Sequence, residues 1–255
     1  MDVLDGWPGA AAPGFLVDGQ LLLDAGTIGS AIGESESAGI RWLLLSHSHL
    51  DHIKELPFLA LTRYDAKATS LIVAGLPKTL ETLRRHVFND AIWPDFSKIG
   101  EPPILVFTEL EPGRVESFGP YRVTAMEVKH SVLCAGFLVE GRDAAFIYVT
   151  DSKQTDAIWR IAAENRRVQT AIMDIAFPDR LRERAEKTGH YTPASAAADV
   201  RKSGRDIRVL AMHLHPDLVD EIVFDMKRAG MNAEVAEQSA VYVLSDGAPP
   251  VKKKS

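Results

Sequence analysis

The densest group of chemically active side chains reads HSHLDH at positions 47–52, directly after the apolar run IRWLLLS. In an extended segment, side chains two residues apart point to the same side, so His47 and His49 can bind one cation together. Asp51 and His52 lie where the chain enters a helix and can face a second cation. Neutral imidazole with carboxylate is a ligand set that suits zinc, and manganese or iron are alternatives. The pattern therefore predicts a site for divalent metal ions.

Further candidate ligands follow other apolar runs. Asp24 follows QLLL, His130 follows VTAMEVK and Asp151 follows AAFIYVT. His213 follows RVLAM, and His215, two positions later, is the alternative at that place. Function concentrates in loops at one edge of a sheet, because the scaffold fixes these loops while their side chains stay accessible. We therefore expect these residues at the end of a sheet.

Short β-type runs separated by turn residues dominate the first half of the chain. These runs are GFLVDG, QLLLDAG, IRWLLLSH, SLIVAG, PILVFTEL, YRVTAMEV, AGFLVEG and DAAFIYVTD. The segment VEGRDAAFIYVT predicts a β-hairpin around Gly141, Arg142 and Asp143. In the second half, VQTAIMDIAF and DIRVLAMHL predict strands, and EVAEQSAVYVLSDG predicts one more strand or a hairpin.

Helical periodicity appears in five segments: HIKELPFLALTRY, PKTLETLRRHVFND, TDAIWRIAAENRR, TPASAAADVRKSG and DLVDEIVFDMKRAG. Strands first, followed by mixed strands and helices, predict two sheets packed together with helices outside, an α/β (α+β) fold. No repeat, linker or low-complexity segment divides the chain. We expect a single domain over residues 1–250 and a solvated basic tail at 251–255.

Composition limits the class of protein. The chain has 255 residues, 46% of them hydrophobic, which suffices for a core, and no apolar run approaches the ~20 residues that span a bilayer. A formal net charge of −6 provides no positive field for nucleic acid. The single cysteine, Cys134, fits a reducing compartment, and the first residues lack the regions of a signal peptide. We expect a cytoplasmic protein that binds neither membrane nor nucleic acid, and a homodimer is plausible.

The block HSHLDH after an apolar strand resembles the signature of the metallo-β-lactamase superfamily. This resemblance implies a four-layer αββα sandwich with a dinuclear metal site. The family pattern continues with a lone histidine, an aspartate that closes a strand and a late histidine, and His130, Asp151 and His213 occur in that order. LLLDAG resembles the family's early strand, where Asp24 would orient a histidine ligand. The implied ligands are His47, His49 and His130 for one metal, Asp51, His52 and His213 for the other, and Asp151 as a bridge.

Three segments resemble class II 3′,5′-cyclic-nucleotide phosphodiesterases, a branch of this superfamily. HSHLDHIKELPFLA resembles the HxHLDHI block of that branch, and FNDAIWPDF resembles its NDxIWP segment. AIMDIAFPDRLRERAEKTGHYTP resembles its strand, Phe-Pro and Gly-His-x-Thr-Pro sequence, so that the likeness spans roughly residues 20–216. One departure is Glu55, where the superfamily often has glycine, and the insertions of longer eukaryotic members are missing.

The resemblance implies hydrolysis of a phosphodiester, with cAMP or cGMP as the expected substrate and a 5′-monophosphate as the product. Two divalent metals would lower the pKa of a bridging water towards about 7, and the hydroxide would attack phosphorus. The expected catalytic residues are Asp51 and His190. In the loop TGHYTP, His190 would protonate the leaving oxygen or contact the phosphate, and Thr192 would cap the following helix.

Asn89 and Trp93, in the NDxIWP-like segment, are the expected lining of a pocket for the base, with the indole of Trp93 stacking on the purine. The alternative for Trp93 is an ordinary place in the core.

Other functions stay open on the sequence alone. A relative that processes the 3′ end of tRNA shares HxHxDH and a GHxT-like loop, but the acidic balance and the lack of a Gly- and Lys-rich arm favour a small substrate. Lactamase or thioesterase activity explains neither NDxIWP nor GHxTP. The non-enzymatic alternative is a metal-dependent nucleotide-binding module. Seven ligands shared between two metals leave room for water, which favours catalysis over a structural site.

Overall fold

A computed structural model describes residues 12–29, 33–238, 240–245 and 248–252. The segment in which no signal peptide is predicted lies outside the described residues up to position 11, and so do residues 253–255 of the predicted basic tail. The described chain forms two compact units, one within residues 11–111 and the other within residues 112–255. Each unit is built on one large β-sheet.

The unit of residues 11–111 has a five-stranded sheet in the order β1-β2-β3-β4-β5. Its strands are β1 (Phe15–Val17), β2 (Leu21–Leu23), β3 (Trp42–Leu45), β4 (Leu71–Gly75) and β5 (Leu105–Glu109). Its helices are α1 (Glu34–Gly39), α2 (Leu50–Ile53), α3 (Leu56–Asp65) and α4 (Pro77–His86). β1 pairs antiparallel with β2, and β2 to β5 run parallel.

The parallel strands β2, β3 and β4 are apolar along their whole length, as expected of strands that are buried on both faces. Every residue of β2 and β3 is buried, and α3 turns Leu56, Leu59 and Ala60 towards the same core. α3 starts with Pro57 in its first turn, a position at which proline's fixed φ suits a helix. The apolar packing thus holds β2, β3 and the short α2 that precedes α3.

The unit of residues 112–255 has a seven-stranded sheet in the order β12-β11-β10-β9-β8-β7-β6. Its strands are β6 (Val115–Phe118), β7 (Tyr121–Val128), β8 (Cys134–Glu140), β9 (Ala145–Val149), β10 (Val168–Asp174), β11 (Arg208–Met212) and β12 (Ala233–Val235). Its helices are α5 (Ala157–Glu164), α6 (Arg182–Thr188), α7 (Pro193–Arg201) and α8 (Val219–Arg228). A separate hairpin consists of β13 (Tyr242–Ser245) and β14 (Ala248–Lys252), so the first two residues of the predicted tail end a strand.

Strand direction places the carboxyl ends of five strands, β7 and β9 to β12, at one edge of this sheet. β9 to β12 run parallel, whereas β7 pairs antiparallel with β8 and β8 pairs antiparallel with β9. β7 therefore runs in the same direction as β9, and β7 and β9 to β12 all end at the same edge. In open α/β sheets, ligands bind outside the carboxyl ends of the strands.

Most predicted elements are confirmed, including the hairpin of β8 and β9, where Gly141 N–H donates to Ala144 O at 2.9 Å. The segment EVAEQSAVYVLSDG forms β12 and β13. The sequence reasoning missed α1, α6 and β6, which are short and polar: within α6 only Ala185 is buried. None of the described helices has the length and apolarity that crossing a bilayer requires.

A buried arginine fixes the chain before β3. The Arg63 side chain on α3 is fully buried, and its guanidinium donates to the carbonyl oxygens of Ser37 (3.1 Å), Ile40 (2.5 Å) and Thr69. Burial, together with the charge of Arg41, lowers the pKa of Arg63. The planar fork of arginine reaches carbonyls in several directions, which the single ammonium of lysine does not.

We predict that Arg63→Lys lowers the free energy of unfolding by about 1–3 kcal/mol, because buried carbonyl oxygens lose their donors. Urea unfolding followed by circular dichroism measures the change. The control is Arg85→Lys on the exposed face of α4, which is expected to stay within about 0.5 kcal/mol of the wild type. Equal unfolding midpoints for Arg63→Lys and Arg85→Lys would contradict this account of the packing.

Candidate metal centre

The first cluster of candidate residues stands at the ends of β2 and β3. These strands are parallel and adjacent, so Asp24 follows β2 beside the end of β3, and Asp24 N–H donates to Leu44 O at 2.9 Å. Asp24 has a positive φ of 55°, a backbone conformation that aspartate adopts more readily than most residues. The residues of this cluster are Asp24, Ser46, His47, His49, Asp51 and His52, and we call them the 24–52 cluster.

The buried carboxylate of Asp24 organises the 24–52 cluster. Its Oδ1 accepts a hydrogen bond from Ser46 N–H at 2.8 Å, and its Oδ2 accepts one from the Ser46 hydroxyl at 2.7 Å. His52 Nδ1 donates to the same Oδ2 at 2.8 Å. Because a carboxylate only accepts, this contact puts the ring proton of His52 on Nδ1 and the lone pair on Nε2. This is how an aspartate orients a histidine that ligates a metal.

The tautomer of His47 is also set by its hydrogen bond. The Ser46 hydroxyl has a single proton, which it gives to Asp24, so at its 3.0 Å contact with His47 Nδ1 the hydroxyl oxygen accepts. His47 therefore also carries its lone pair on Nε2. This Nε2 lies 3.0 Å from His49 Nδ1. Two nitrogens at about 2.0–2.1 Å from one tetrahedral zinc lie about 3.3 Å apart, so the pair fits a shared cation.

Asp51 and His52 present their ligand atoms together at the start of α2. The Oδ2 of Asp51 lies 3.6 Å from Nε2 of His52, whose side chain is buried while that of Asp51 is half-buried. Gly26 packs against the backbone carbonyl of Asp51 so closely that a Cβ there would collide with it. The glycine after LLLDA thus lets the end of β2 lie directly against the helix that carries both residues.

The second cluster stands at the shared edge of β7, β9, β10 and β11. Its residues are His130, Asp151, Asp174, His190 and His213, and we call them the 130–213 cluster. His130 Nδ1 donates to Gly189 O at 3.0 Å, which places the lone pair on Nε2 as in His47 and His52. Gly189 ends α6 with a φ of +80°, and a Cβ at this glycine would lie 2.7 Å from His130 Nδ1. Glycine is required there for both reasons.

The carboxylate of Asp151 faces two histidines with different oxygens. Its Oδ2 lies 3.7 Å from His130 Nε2, and its Oδ1 lies 3.9 Å from His213 Nδ1. Both distances exceed a hydrogen bond but match two ligand atoms on either side of a cation. The two oxygens of this carboxylate therefore face different histidines. His213 itself has a φ of +59°, one of five non-glycine residues with positive φ among the described residues.

Sequence reasoning missed Asp174, the buried last residue of β10. Its Oδ2 lies 3.1 Å from His190 Nδ1, which donates to it, and its Oδ1 lies 3.7 Å from His213 Nδ1. Asp174, His190 and His213 each offer a ligand atom within 4.8 Å of the others. The missed signal was present in AIMD, since Asp174 closes its strand as Asp24 and Asp151 close or follow theirs.

Asp174 and His190 each stabilise the charged form of the other. Burial alone would lower the pKa of His190, but the Asp174 carboxylate outweighs burial and raises this pKa. Burial likewise would raise the pKa of Asp174, and the charge of His190 and its hydrogen bond hold this pKa below its ordinary value. The His190 ring also stacks on that of His213, with centroids 5.4 Å apart.

The two alternatives at the end of β11 have different surroundings. His213 lies next to Asp151 and Asp174, whereas His215 packs against the ring of Phe177, with centroids 6.1 Å apart. No carboxylate or other histidine among the described residues groups with His215 in a set of possible metal ligands. The geometry favours His213 as the ligand.

The remaining predicted residues have local roles. Thr192 is the N-cap residue of α7, and its N–H donates to Ser195 Oγ at 2.9 Å. The Asn89 side chain closes its own loop, donating to Arg85 O and accepting from Ile92 N–H. The ring of Trp93 packs on Phe58 at 5.2 Å.

Comparison with known proteins decides the class of the protein. The model of the "Beta-lactamase superfamily domain" matches residues 21–222 of the chain. The chain belongs to this superfamily. The family that the HSHLDH block predicts is therefore confirmed.

Three similar proteins narrow the comparison. The chain is 24% identical over 153 residues to a 3′,5′-cyclic-nucleotide phosphodiesterase of Candida albicans, a match that covers 60% of this chain and 34% of that protein. It is 29% identical over 195 residues to a ribonuclease Z of Mycobacterium sp. strain KMS, a match that covers 70% of this chain and 67% of that protein. The crystal structure of unliganded yeast PDE1 superposes with a TM-score of 0.70 at 20% identity, covering 81% of this chain and 69% of that one. The superfamily match and the two sheets with their helices confirm the predicted metallo-β-lactamase fold. The chain spans only about a third of the Candida enzyme.

We predict that Asp24→Asn weakens zinc binding 10- to 100-fold, as expected when the partner of a ligating histidine is lost (about this range). Asparagine keeps the backbone conformation and one acceptor oxygen, but its amide N–H₂ faces His52 Nδ1 and forces the ring proton onto Nε2. Competition for zinc with a chromophoric chelator measures the affinity.

The control for this experiment is Asp65→Asn at the exposed end of α3, which should bind zinc like the wild type. Wild-type affinity in Asp24→Asn, with its circular dichroism spectrum unchanged, would refute the orienting role of Asp24.

Proposed function

We propose that this protein is a hydrolase that cleaves a phosphodiester, most specifically a 3′,5′-cyclic nucleotide such as cAMP or cGMP, to a 5′-monophosphate. The observation that carries the proposal is His190. It is held by Asp174 at 3.1 Å, it stacks on His213, and it lies outside both expected ligand sets. A proton donor or anion contact beside the metal ligands is what cleavage of a phosphate ester requires.

The proposed ligands follow the family pattern. His47, His49 and His130 would hold one metal, Asp51, His52 and His213 would hold the other, and Asp151 would be shared between them. Hydrogen bonds place the lone pairs of His47, His52 and His130 on Nε2, where they can bind a metal. The ring nitrogens of His47 and His49 lie 3.0 Å apart. The two oxygens of Asp151 face two different histidines. Zinc fits this donor set, and manganese or iron are alternatives. Under this proposal, residues 1–250 act as one domain, as the family match across both units suggests.

Two divalent metals in such a site supply positive charge for the phosphate and lower the pKa of bound water towards about 7. The chain's own residues supply the rest. Asp51 and Asp151 provide the carboxylates that balance the charge of the metals, and the remaining ligands are neutral imidazoles. This local cation charge explains how a protein with a formal net charge of −6 would attract an anionic substrate.

His190 is the proposed proton donor. Its Nδ1 donates to Asp174, so Nε2 is the nitrogen that faces outward and gives its proton to the leaving 3′ oxygen. Thr192 follows two positions later as the N-cap residue of α7, and we retain it as a proposed contact for the phosphate. For the base we retain the proposal of Asn89 and Trp93; the support is the half-buried indole of Trp93 beside the exposed ring of Phe58.

A ribonuclease Z-type activity is the second candidate, because a ribonuclease Z relative matches 70% of the chain. A long RNA needs more positive surface than a cyclic nucleotide, and the acidic balance of the chain favours the smaller substrate.

A metal-dependent nucleotide-binding module is the non-enzymatic candidate. The predicted cytoplasmic location rests on the single cysteine, Cys134, which is buried and cannot form a disulfide within the chain.

We predict that the zinc-loaded protein hydrolyses bis-p-nitrophenyl phosphate and, in a panel of cAMP, cGMP, 2′,3′-cyclic nucleotides and a precursor tRNA, acts on the 3′,5′-cyclic nucleotides. Asp151→Ala should abolish turnover and lower metal content, because both metals lose a ligand. Asp143→Ala, in the exposed β8–β9 turn, is the matched control and should behave as the wild type.

Cleavage of the precursor tRNA alone would replace the cyclic-nucleotide proposal with the ribonuclease. Absence of turnover on the whole panel with both metals bound would favour the binding module.

We predict that His190→Gln lowers kcat by about 10²- to 10⁴-fold, the usual contribution of a positioned acid, while two metals per chain remain bound. Single-turnover kinetics and metal analysis on the same sample separate the two effects. His86→Gln, at the exposed end of α4, serves as the matched histidine control. If His190→Gln loses metal, His190 is a metal ligand and not the proton donor. If its kcat is unchanged, His190 has neither role.

A further inference from the structure

A second buried carboxylate in the unit of residues 112–255 collects hydrogen bonds from several loops. Asp199 on α7 is fully buried, and its Oδ2 accepts from the Tyr191 hydroxyl at 2.7 Å and from Thr155 N–H at 2.8 Å. Its Oδ1 pairs with Lys202 Nζ at 2.6 Å and lies 3.5 Å from Gln154 Nε2. A buried carboxylate persists only when paired and hydrogen-bonded, and Asp199 meets both conditions.

The donors to Asp199 come from two loops of the proposed site. Tyr191 directly follows His190, and Thr155 belongs to the loop that leaves β9 through Asp151. Lys202 reinforces the contact between Asp199 and the Thr155 loop, since its Nζ also donates to Thr155 O at 2.8 Å. One carboxylate therefore joins the segment that carries the proposed acid to the segment that carries the proposed bridging ligand.

A third loop is attached to the same segment. Ser152, which follows Asp151, accepts a hydrogen bond from Lys129 N–H at 3.2 Å, and Lys153 N–H donates to Lys129 O at 2.9 Å. Lys129 directly precedes His130. The loops of His130, Asp151 and His190 are thus tied together behind the side chains that face the site.

The surroundings of Tyr191 keep its hydroxyl hydrogen-bonded to Asp199. Burial raises the pKa of Tyr191 well above its ordinary value, and the charge of Asp199 and the hydrogen bond to it act in the same direction. The hydroxyl therefore keeps its proton and its donor role. The phenol ring is fully buried in the core below the loop, so the hydroxyl cannot swing away.

We propose that Asp199 is a positioning residue, which through Tyr191 and Thr155 sets the distance between His190 and Asp151. The inference rests on the proposed roles of those two residues. Aligning a donor and a reacting bond contributes heavily to rate, and a displacement of about 1 Å can cost about 100-fold. The carboxylate touches neither substrate nor metal, so its effect should appear in kcat and in the geometry of the metal site.

The test compares Tyr191→Phe, Asp199→Asn and Asp199→Ala with Ser203→Ala. Ser203 lies beyond the other end of α7, is buried, and makes hydrogen bonds with Val200 and Arg205, so its loss destabilises the same region without touching the network. Each variant is loaded with cobalt(II), whose visible spectrum reports ligand geometry. The same samples give kcat and KM on bis-p-nitrophenyl phosphate and the thermal midpoint.

We expect Tyr191→Phe and Asp199→Asn to shift the cobalt spectrum and to lower kcat about 10- to 100-fold with KM nearly unchanged. Asp199→Asn keeps an acceptor oxygen and should be milder than Asp199→Ala. Ser203→Ala should lower the thermal midpoint alone. If Asp199→Ala does not fold, Tyr191→Phe, which lacks one hydroxyl, decides the matter.

The proposal is overturned if Tyr191→Phe and Asp199→Asn keep the wild-type spectrum and kcat, or if Ser203→Ala changes both as much as they do. A wild type that binds cobalt but hydrolyses no phosphodiester would refute the proposed function, and the cobalt spectra would still decide the positioning role.

Discussion

The chemistry of this protein depends on which nitrogen of each imidazole carries the proton. A neutral histidine binds a metal only through the nitrogen that bears the lone pair, so the other nitrogen has to donate a hydrogen bond. Asp24, the Ser46 hydroxyl and the Gly189 carbonyl accept those bonds from His52, His47 and His130. All three acceptors are held by strand ends or a helix end, so the fold itself sets the tautomers of these three histidines.

Strand direction explains why these groups occur together within each unit. Parallel β2 and β3 deliver Asp24 and the HSHLDH block to the same edge of one sheet. In the other sheet, β7, β9, β10 and β11 all end at one edge, which brings His130, Asp151, Asp174 and His213 together. The positive φ of Asp24 and of His213 marks the places where the chain leaves a strand abruptly. Such strain persists where surrounding packing overrides it, as at many functional sites.

Much of this arrangement follows from the sequence, because apolar runs that end in a histidine or aspartate identify both the strands and the residues at their ends. Asp174 was missed because a single acid at the end of AIMD has no distinctive spacing, and its role appears only when His190, 16 residues later, folds back onto it. The Gly189 carbonyl and the Ser46 hydroxyl were missed for a related reason: backbone oxygens and serines carry no signal until the partner is in place. The polar α6 and the short α1 lack the periodicity that identifies a helix.

Crystallography of the zinc-loaded protein, with anomalous data collected at the zinc edge, tests the central claim most directly. We expect two anomalous peaks for zinc, with the Nε2 atoms of His47, His52 and His130 at about 2.0–2.1 Å from zinc. Both oxygens of Asp151 should also bind zinc. A single peak, or a structure in which the imidazole of His130 or the carboxylate of Asp151 binds no zinc, would contradict it.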